Sequence, residues 1–467
     1  MSGVVGLALG TLSGVALVGA AGPLQSRAER DVLGSWLTVT TALWRGSGLH
    51  PAPSSAVVVA SLGLVLGWLL VAGSLHVRPL RSRRSLIALV AAWSAPFVLA
   101  VPVFSRDAYA YVAQGALLQQ GLDPYRHPVA ALVGRPSVLA AVDPVWRHTF
   151  TPYGPLGLRL EQLMAAVGSG QEWRSLLAVR VLACLGVAVT GWCIWAALPT
   201  SRRHLGLWLW LSPLVLVHLI GAGHLDAVVC AFLAGSMLAA LREHPHWAVV
   251  LAVGAGEIKA TAFLVLPVLL VQVLRRDGAR SAARCGVTAG VVALAAAGLF
   301  ISDPLGWVAG LSTPGLAWDP FTPASTVALG VSEVVTHLGG HPEEGLVAAC
   351  RLTIAVVGVA VAAVLLYRLR RNGLVLTCGL LMLDLALTGP ALWPWYLAPC
   401  LALLVMAASR AAWCAALVIS SCGMLLALPL HVVPAQRVAG LAELVVLGTG
   451  VILGAVRIRV RATAWQR

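Results

Sequence analysis

Long apolar runs dominate the chain, interrupted by short arginine-rich turns and by two longer polar stretches. The run Gly3 to Ala21 is long enough to cross a bilayer, which takes roughly 20 apolar residues. No basic start precedes it, so it reads as a retained first helix and not as a cleaved signal peptide. A loop over residues 23–54 holds Arg27, Glu29, Arg30 and Asp31, and a second span follows from Ser55 to Val77. The next turn carries Arg78, Arg81, Arg83 and Arg84 and marks the cytoplasmic side by the positive-inside rule. Leu86 to Phe104 then runs outward, so residues 105–155 emerge on the extracytoplasmic side. Trp173 to Leu198 returns to Arg202 and Arg203, Leu205 to Ile220 goes out, and Leu225 to Leu241 comes back to Arg242. The run Trp247 to Leu274 starts and ends at arginines, so it crosses twice or not at all. Glu257 and Lys259 sit in its middle, which predicts two half-helices meeting at a polar apex. Irregular backbone at that depth is tolerated only where it is buried in protein or faces a cavity. Cys285 to Ile301 leads to the second polar stretch, residues 302–344. Gly345 to Tyr367, Leu374 to Thr388 and three spans near Leu397–Ala408, Ala411–Leu428 and Val438–Val456 complete the chain. The pattern predicts one all-α polytopic membrane domain of about 12–14 spanning segments, with a long helical loop at 105–157.

Composition agrees with that picture and narrows the partners. The chain of 467 residues is 59% hydrophobic and only 11% charged, with a mean hydropathy of +0.88, whereas a soluble domain carries about a quarter charged residues. The net charge of +14 is almost wholly arginine, because Lys259 is the sole lysine. Those arginines collect in turns, which reads as topology and not as nucleic-acid binding, since no basic soluble module is present to hold a nucleic acid. The nine cysteines lie in or beside apolar runs, with no CxxC pair and no histidine at zinc spacing, so neither disulfides nor a metal is expected. No GxGxxG or P-loop appears, and no nucleotide cofactor is expected.

The stretch 105–155 departs most from the apolar background. It holds Asp107, Asp123 and Asp143 and four of the six tyrosines. Asp107, Tyr111 and Gln114 share one face of a predicted helix. Gly121 suits its C-terminus, and Asp123-Pro124 opens a turn. Arg106 and Asp107 either anchor a helix end at the headgroups or form a reaction centre. In the second case Asp107 accepts a proton from a sugar hydroxyl, and a nearby arginine keeps it ionised. Tyr125, Asp143, Trp146, Arg147 and Tyr153 lie at predicted loop corners, where aromatic rings suit either sugar faces or the interfacial aromatic belt. His224 and Asp226 sit at an outer helix junction, where binding of substrate hydroxyls or orientation of the base fits better than metal ligation. Lys259 is a point charge suited to a phosphate, or else an ion-pair partner for Glu257. Trp393, Trp395 and Tyr396 form either an aromatic belt or a wall of a sugar site. Arg351, Asp384 and Glu443 lie within apolar runs and are expected to pair inside the bundle.

The blocks Arg106-Asp107 with Tyr109 and Tyr111, Gly121-Leu122-Asp123-Pro124-Tyr125, Asp143-Pro144-Val145-Trp146-Arg147 and Pro152-Tyr153-Gly154-Pro155-Leu156 occur in that order. Together they resemble the actinobacterial polyprenol-phosphomannose-dependent α-1,6-mannosyltransferases, integral membrane glycosyltransferases of the GT-C class. The segments around His224 to Asp226, Lys259 and Trp393 to Tyr396 resemble later blocks of the same family. The resemblance implies a GT-C-like bundle in the plasma membrane with its site on the extracytoplasmic face. It implies a polyprenyl-phosphate-mannose donor, a mannan or glycolipid acceptor of lipomannan or lipoarabinomannan, and inversion at the sugar. It implies Asp107 as catalytic base, with Lys259 and an arginine such as Arg147 on the leaving phosphate. Two other readings stay open: a sister transferase moving another polyprenyl-phosphate sugar such as arabinofuranose, and a transporter or flippase for a lipid-linked sugar, which would also want broken helices and buried charge.

Overall fold

The computed structural model describes residues 2–34, 36, 53–78, 80, 82–300, 303, 305–316, 321–341 and 345–426. Among them the secondary structure is helical, and the only β pairing is one isolated bridge between Tyr153 and Lys259. Five helices are long and apolar enough to cross a membrane. The other expected segments appear as shorter or broken helices, and the span expected at Val438–Val456, with Glu443, lies outside the described residues. The chain is therefore an all-α polytopic membrane protein.

Helix α1 (Ser2–Leu24) packs along α3 (Pro53–Val77), with the short α2 (Arg27–Leu33) between them in sequence. The two long helices approach so closely that a Cβ on Gly67 would stand 2.6 Å from the Gly6 carbonyl. Small residues at such spacing let helix backbones meet where water supplies no driving force. Ser26 and Glu29 close a capping box at the start of α2, so the loop after α1 is locally ordered. Helix α4 (Arg83–Leu99) is capped by Ser82 and delivers the chain to the polar stretch.

That stretch is folded. Helix α5 (Asp107–Gln119) is buried continuously from Ala108 to Leu117, its polar groups included, and burial favours partners for such groups inside the protein. The expected C-terminus is observed: Gly121 takes the left-handed φ of +75° that turns the chain out of the helix. Short helical turns at Pro136–Ala141 and Pro144–Arg147 lead to α6 (Pro155–Val167). Helix α6 lies tight against α5, where a Cβ on Gly115 would stand 2.2 Å from the Glu161 carbonyl. A hydrophobic cluster of its own, including Tyr109, Tyr111, Val138 and Tyr153, sits beneath this stretch beside the main membrane core.

Helix α7 (Glu172–Ala197) is the central long span, and Arg180 is buried in it. Arg180 donates to the Phe97 carbonyl at the end of α4 and, at 2.8 Å, to the Gly221 carbonyl, which also accepts from the Val103 amide at 3.0 Å. One guanidinium thus ties three segments beneath Asp107. The single span expected over Leu205–Ile220 is broken instead. Helix α8 (Arg203–Trp210) and a π-helical turn at Val215–Gly221 bend by 64°. Pro213 lies in the break; it donates no amide hydrogen bond and disfavours helix at Ser212.

Helix α9 (Asp226–Leu241) follows, and then the expected pair of half-helices. Helix α10 (Pro245–Ile258) ends at Lys259, whose backbone is extended (φ −142°, ψ 115°), and a 3₁₀ turn at Ala260–Leu264 leads into α11 (Val265–Asp277). Helices α12 (Ala279–Phe300), α13 (Pro323–His337) and α14 (Leu346–Tyr367) form the periphery. Helix α15 (Leu374–Thr388), α16 (Ala398–Met406) and α17 (Arg410–Leu426) close the bundle next to the break at Lys259. Arg351 donates to the Gly315 carbonyl at 3.3 Å, not to a carboxylate. Asp384 makes no ion pair among the described residues, because its helix face is only half buried and remains partly open.

Candidate active site

Asp107 is the first residue of α5, and its backbone amide is held by Ser105 Oγ at 3.2 Å. Its two carboxylate oxygens have separate partners. Trp146 Nε1 donates to Oδ1 at 3.2 Å, and His224 Nδ1 stands 3.5 Å from Oδ2. The side chain keeps 17% of its surface exposed, so it is enclosed without being sealed. Burial raises its pKa from the usual carboxylate range to about 7, against the opposing pull of Lys259 and the Trp146 hydrogen bond.

The arginine beside it plays a different part from the expected one. Arg106 Nη2 bonds Glu29 Oε2 at 3.0 Å, so it ties the start of α5 to α2 and does not hold Asp107 ionised. Lys259 is the cation that acts on Asp107. The physical reason is position: Arg106 precedes the helix and its guanidinium reaches Glu29 of α2 instead.

His224 joins the two halves of the site. Its ring is stacked on Trp395, with centroids 3.8 Å apart and planes at 17°. Its Nδ1 also lies 3.3 Å from the Tyr111 hydroxyl, which is 3.1 Å from the Tyr153 hydroxyl. Burial drives the pKa of both phenols well above the ordinary value, so they remain neutral hydrogen-bonding groups. Asp107, His224, Tyr111 and Tyr153 therefore form one chain of polar contacts, in which the two hydroxyls are hydrogen-bonded and His224 Nδ1 faces both Tyr111 and Asp107, its members drawn from α5, the turn before α9 and the turn before α6.

At the far end of that chain stands the ammonium. Lys259 Nζ bonds Asp226 Oδ1 at 2.7 Å and lies 3.9 Å from the centre of the Tyr396 ring. The alternative pairing with Glu257 is not formed. Glu257 belongs to the last turn of α10, whereas Lys259 has left the helix, and the two side chains diverge. The break is held open by Tyr153 and Gly154: Tyr153 bridges to Lys259, and the Gly154 amide donates to the Ile258 carbonyl at 3.1 Å. A Cβ on Gly154 would stand 2.3 Å from the Glu257 carbonyl, so this contact requires glycine.

Lys259, Asp226, Tyr153 and Tyr396 wall a cavity of about 140 Å³. Its opposite wall is apolar, with Met382, Leu385 and Ala386 from α15, and Leu311 and Pro314 come from the second polar stretch. Asp107 stands one layer behind this cavity, connected through the tyrosines and His224. Trp393 stacks on Trp395 at 5.4 Å and 5°, so the two rings and His224 form one packed ladder.

The other expected site residues build the loop. Gln114 accepts from Thr151 at 3.0 Å. Asp123 accepts from the Tyr125 amide at 2.9 Å, and Tyr125 donates to the Tyr153 carbonyl at 2.8 Å. Asp143 caps the turn that carries Trp146. Arg147 donates to the carbonyls of Ala140 at 2.7 Å and Val142 at 3.0 Å, so it is spent on backbone and is not placed to hold a phosphate. Sequence reasoning passed over Arg180 and the cavity-lining residues of α15. A lone arginine in an otherwise apolar span was the available signal for the first; ordinary leucine and methionine gave none for the second.

A polytopic helical membrane protein with the Asp226–Lys259 pair and two tyrosines on one cavity, backed by a stack of aromatic rings, is the class that fold and site define. Residues 2–275 match the model of the family described as alpha-(1->6)-mannopyranosyltransferase, N-terminal domain, and the chain belongs to that family. Asp107, His224, Asp226 and Lys259 all fall within the matched residues. The chain is 32% identical over 325 residues to alpha-(1->6)-mannopyranosyltransferase A of Mycobacterium tuberculosis, covering 65% of this chain and 61% of that protein. It is 34% identical over 188 residues to the protein of the same name from Corynebacterium glutamicum, covering 40% and 37% of the two. Alpha-(1->6)-mannopyranosyltransferase B of Corynebacterium glutamicum is 29% identical over 358 residues, covering 68% and 58%. The chain thus spans less than two thirds of each of these relatives. No solved structure matches it.

Proposed function

We propose that the chain is an inverting membrane mannosyltransferase. It takes mannose from a polyprenyl-phosphate-mannose donor and adds it to an α-1,6-linked mannan or glycolipid of the lipomannan and lipoarabinomannan type. The reaction occurs at the extracytoplasmic face of the plasma membrane. The acceptor hydroxyl oxygen attacks the anomeric carbon from the side opposite the phosphate. The bond from that carbon to the phosphate oxygen breaks, its electron pair leaves with the polyprenyl phosphate, and the hydroxyl proton reaches Asp107 by way of the tyrosines and His224 that separate it from the cavity. Lys259 neutralises the departing phosphate with the N–H groups that Asp226 does not use. Tyr396 and Tyr153 border the sugar, Trp395 backs them from within the stack, and the apolar side of the cavity suits the lipid chain.

The observation that carries this reading is the site's electrostatic layout. A lysine at a break between two half-helices lines a cavity with one hydrocarbon wall, and a carboxyl raised to about 7 lies behind that cavity within the lysine's electrostatic reach. The relatives' names support the sugar and the linkage. The test is Asp107→Asn in purified protein supplied with polyprenyl-phosphomannose and a short α-1,6 mannoside, with products read by mass spectrometry. Loss of the new glycosidic bond in a folded variant is expected; full activity would remove Asp107 from the mechanism. Movement of glycolipid without any new bond in the unaltered protein would favour transport instead.

A further inference from the structure

A second long cavity lies between α4, α7 and α8, away from the site. Its volume is about 720 Å³. On α4 it is lined by Arg83, Leu86, Val90, Ser94 and Val98, a single stripe at helical spacing. Ala188, Trp192 and Trp195 of α7 face that stripe, again about one turn apart. From Arg83 to Val98 the groove runs about 22 Å along the helix axis. That exceeds one leaflet of a hydrocarbon core about 30 Å thick, so an entire acyl chain fits along it.

The two ends differ chemically. The Val98 end is hydrocarbon. At the other end Arg83 and His204 line the groove, and Ser82 caps α4 there. The Trp195 ring is held between His204, edge-on at 5.2 Å, and the Arg203 guanidinium, 5.8 Å from the ring centre. Arg84 and Arg202 are exposed close by in sequence. No aspartate or glutamate occurs between residues 78 and 106 or between 173 and 225, so none borders this rim from the elements that form it. An apolar trough with an uncompensated basic rim and a tryptophan at the boundary matches a lipid with a negative headgroup.

We propose that this groove is a binding site for one anionic phospholipid of the arginine-rich membrane face, its phosphate at Arg83 and His204 and an acyl chain along α4 and α7. The rim is at the opposite end of α4 from Asp107, so the lipid does not compete at the site described above. The proposal rests on the chain's membrane-spanning fold and not on its reaction.

The full-length protein is reconstituted in phosphatidylcholine vesicles containing a trace of spin-labelled phosphatidylglycerol or spin-labelled phosphatidylcholine, and the immobilised lipid fraction is compared. Preferential retention of phosphatidylglycerol is expected. Arg83→Gln should lower that preference about fivefold, the effect of removing one basic residue near a charged surface. Ala188 is exposed within the groove, so Ala188→Trp fills the trough without altering charge and should also abolish the preference. Arg276→Gln, at a basic turn elsewhere, is the control and should leave it intact. Equal retention of both lipids, loss in the Arg276 variant as large as in the Arg83 variant, or an unchanged preference in Ala188→Trp would each overturn the proposal. Size-exclusion elution of every variant separates loss of binding from misfolding.

Discussion

The acidic and basic halves of the site are built on opposite plans. Among the described residues Asp107 has no arginine or lysine in contact; an indole N–H donates to it, an imidazole faces it at 3.5 Å, and burial holds its pKa near 7. Lys259 has a carboxylate at 2.7 Å and an aromatic face at 3.9 Å, which fix the ammonium in place. A group that must exchange a proton near neutrality is served by poise between its two states. A group that must only counter a charge is served by a fixed position. Arg106 and Arg147 would have blurred that contrast, but one is paired to Glu29 and the other to backbone.

Removing the exchangeable group should have the largest effect. Asp107→Asn is expected to lower kcat by about 10²–10⁴-fold, the usual range for a positioned base, with little change in KM. The unaltered enzyme should gain activity as pH rises through about 7, where Asp107 ionises, and the variant should lose that limb. Stability should move the other way. An unfolded carboxyl ionises near 3.8 and the folded one near 7. The folded state therefore binds the proton more tightly, and the contribution of Asp107 to stability declines as pH climbs from about 4 to 7. The variant's melting temperature near pH 7 should be equal or higher, and a lower one would contradict the burial argument.

Next comes the fixed ammonium. Lys259→Met leaves Asp226, only 1% exposed, without its partner, a loss of about 3–5 kcal/mol when one member of a buried pair is removed. Adding Asp226→Asn should recover most of that stability, because no charge is then stranded, yet should not recover turnover. Thermal unfolding in detergent checks the first statement and product formation the second. If the double variant turned over normally, phosphate neutralisation by Lys259 would be refuted.

Much of this contrast was legible before any coordinates. The apolar runs fixed α1, α3, α7 and α14 to within a few residues, because a bilayer-length run has one structural solution. The apex at Lys259 followed from counting which arginines lay on which side. What resisted was partner choice. Nothing in the order Glu257, Ile258, Lys259 says that the lysine turns to Asp226 on another helix. Nothing in Arg106-Asp107 says that the arginine turns away to Glu29, more than seventy positions earlier. Long-range pairing depends on how helices pack, and packing is not periodic. The bend at Pro213 was hidden for a different reason: the apolar run continues straight through it.

Trp146 sharpens the acidic side without abolishing it. Its indole N–H stabilises the ionised form of Asp107, so Trp146→Phe should raise the carboxyl's pKa above about 7. At neutral pH the variant should lose activity about fivefold, because a rise of roughly one pKa unit from about 7 takes the ionised fraction from a half to about a tenth, and regain most of it in more alkaline buffer. A uniform loss at every pH would mean that the ring acts on the sugar or on loop packing and not on proton affinity.

The smallest effect tests what Arg147 is for. Its guanidinium meets carbonyl oxygens of Ala140 and Val142 at the end of the preceding helical turn, a use that satisfies acceptors left over at a helix C-terminus. Arg147→Gln should therefore cost about 1 kcal/mol of stability, the net value of such hydrogen bonds, and leave the KM for the polyprenyl-phosphate donor unchanged. A phosphate ligand would behave in reverse, with a donor KM raised tenfold or more at unaltered stability, since a lost charge-assisted contact is worth about 1.5–3 kcal/mol. Measuring both quantities on the one variant decides between a basic residue that shapes the loop and one that meets the substrate, and thereby whether Lys259 carries the leaving group without help from this loop.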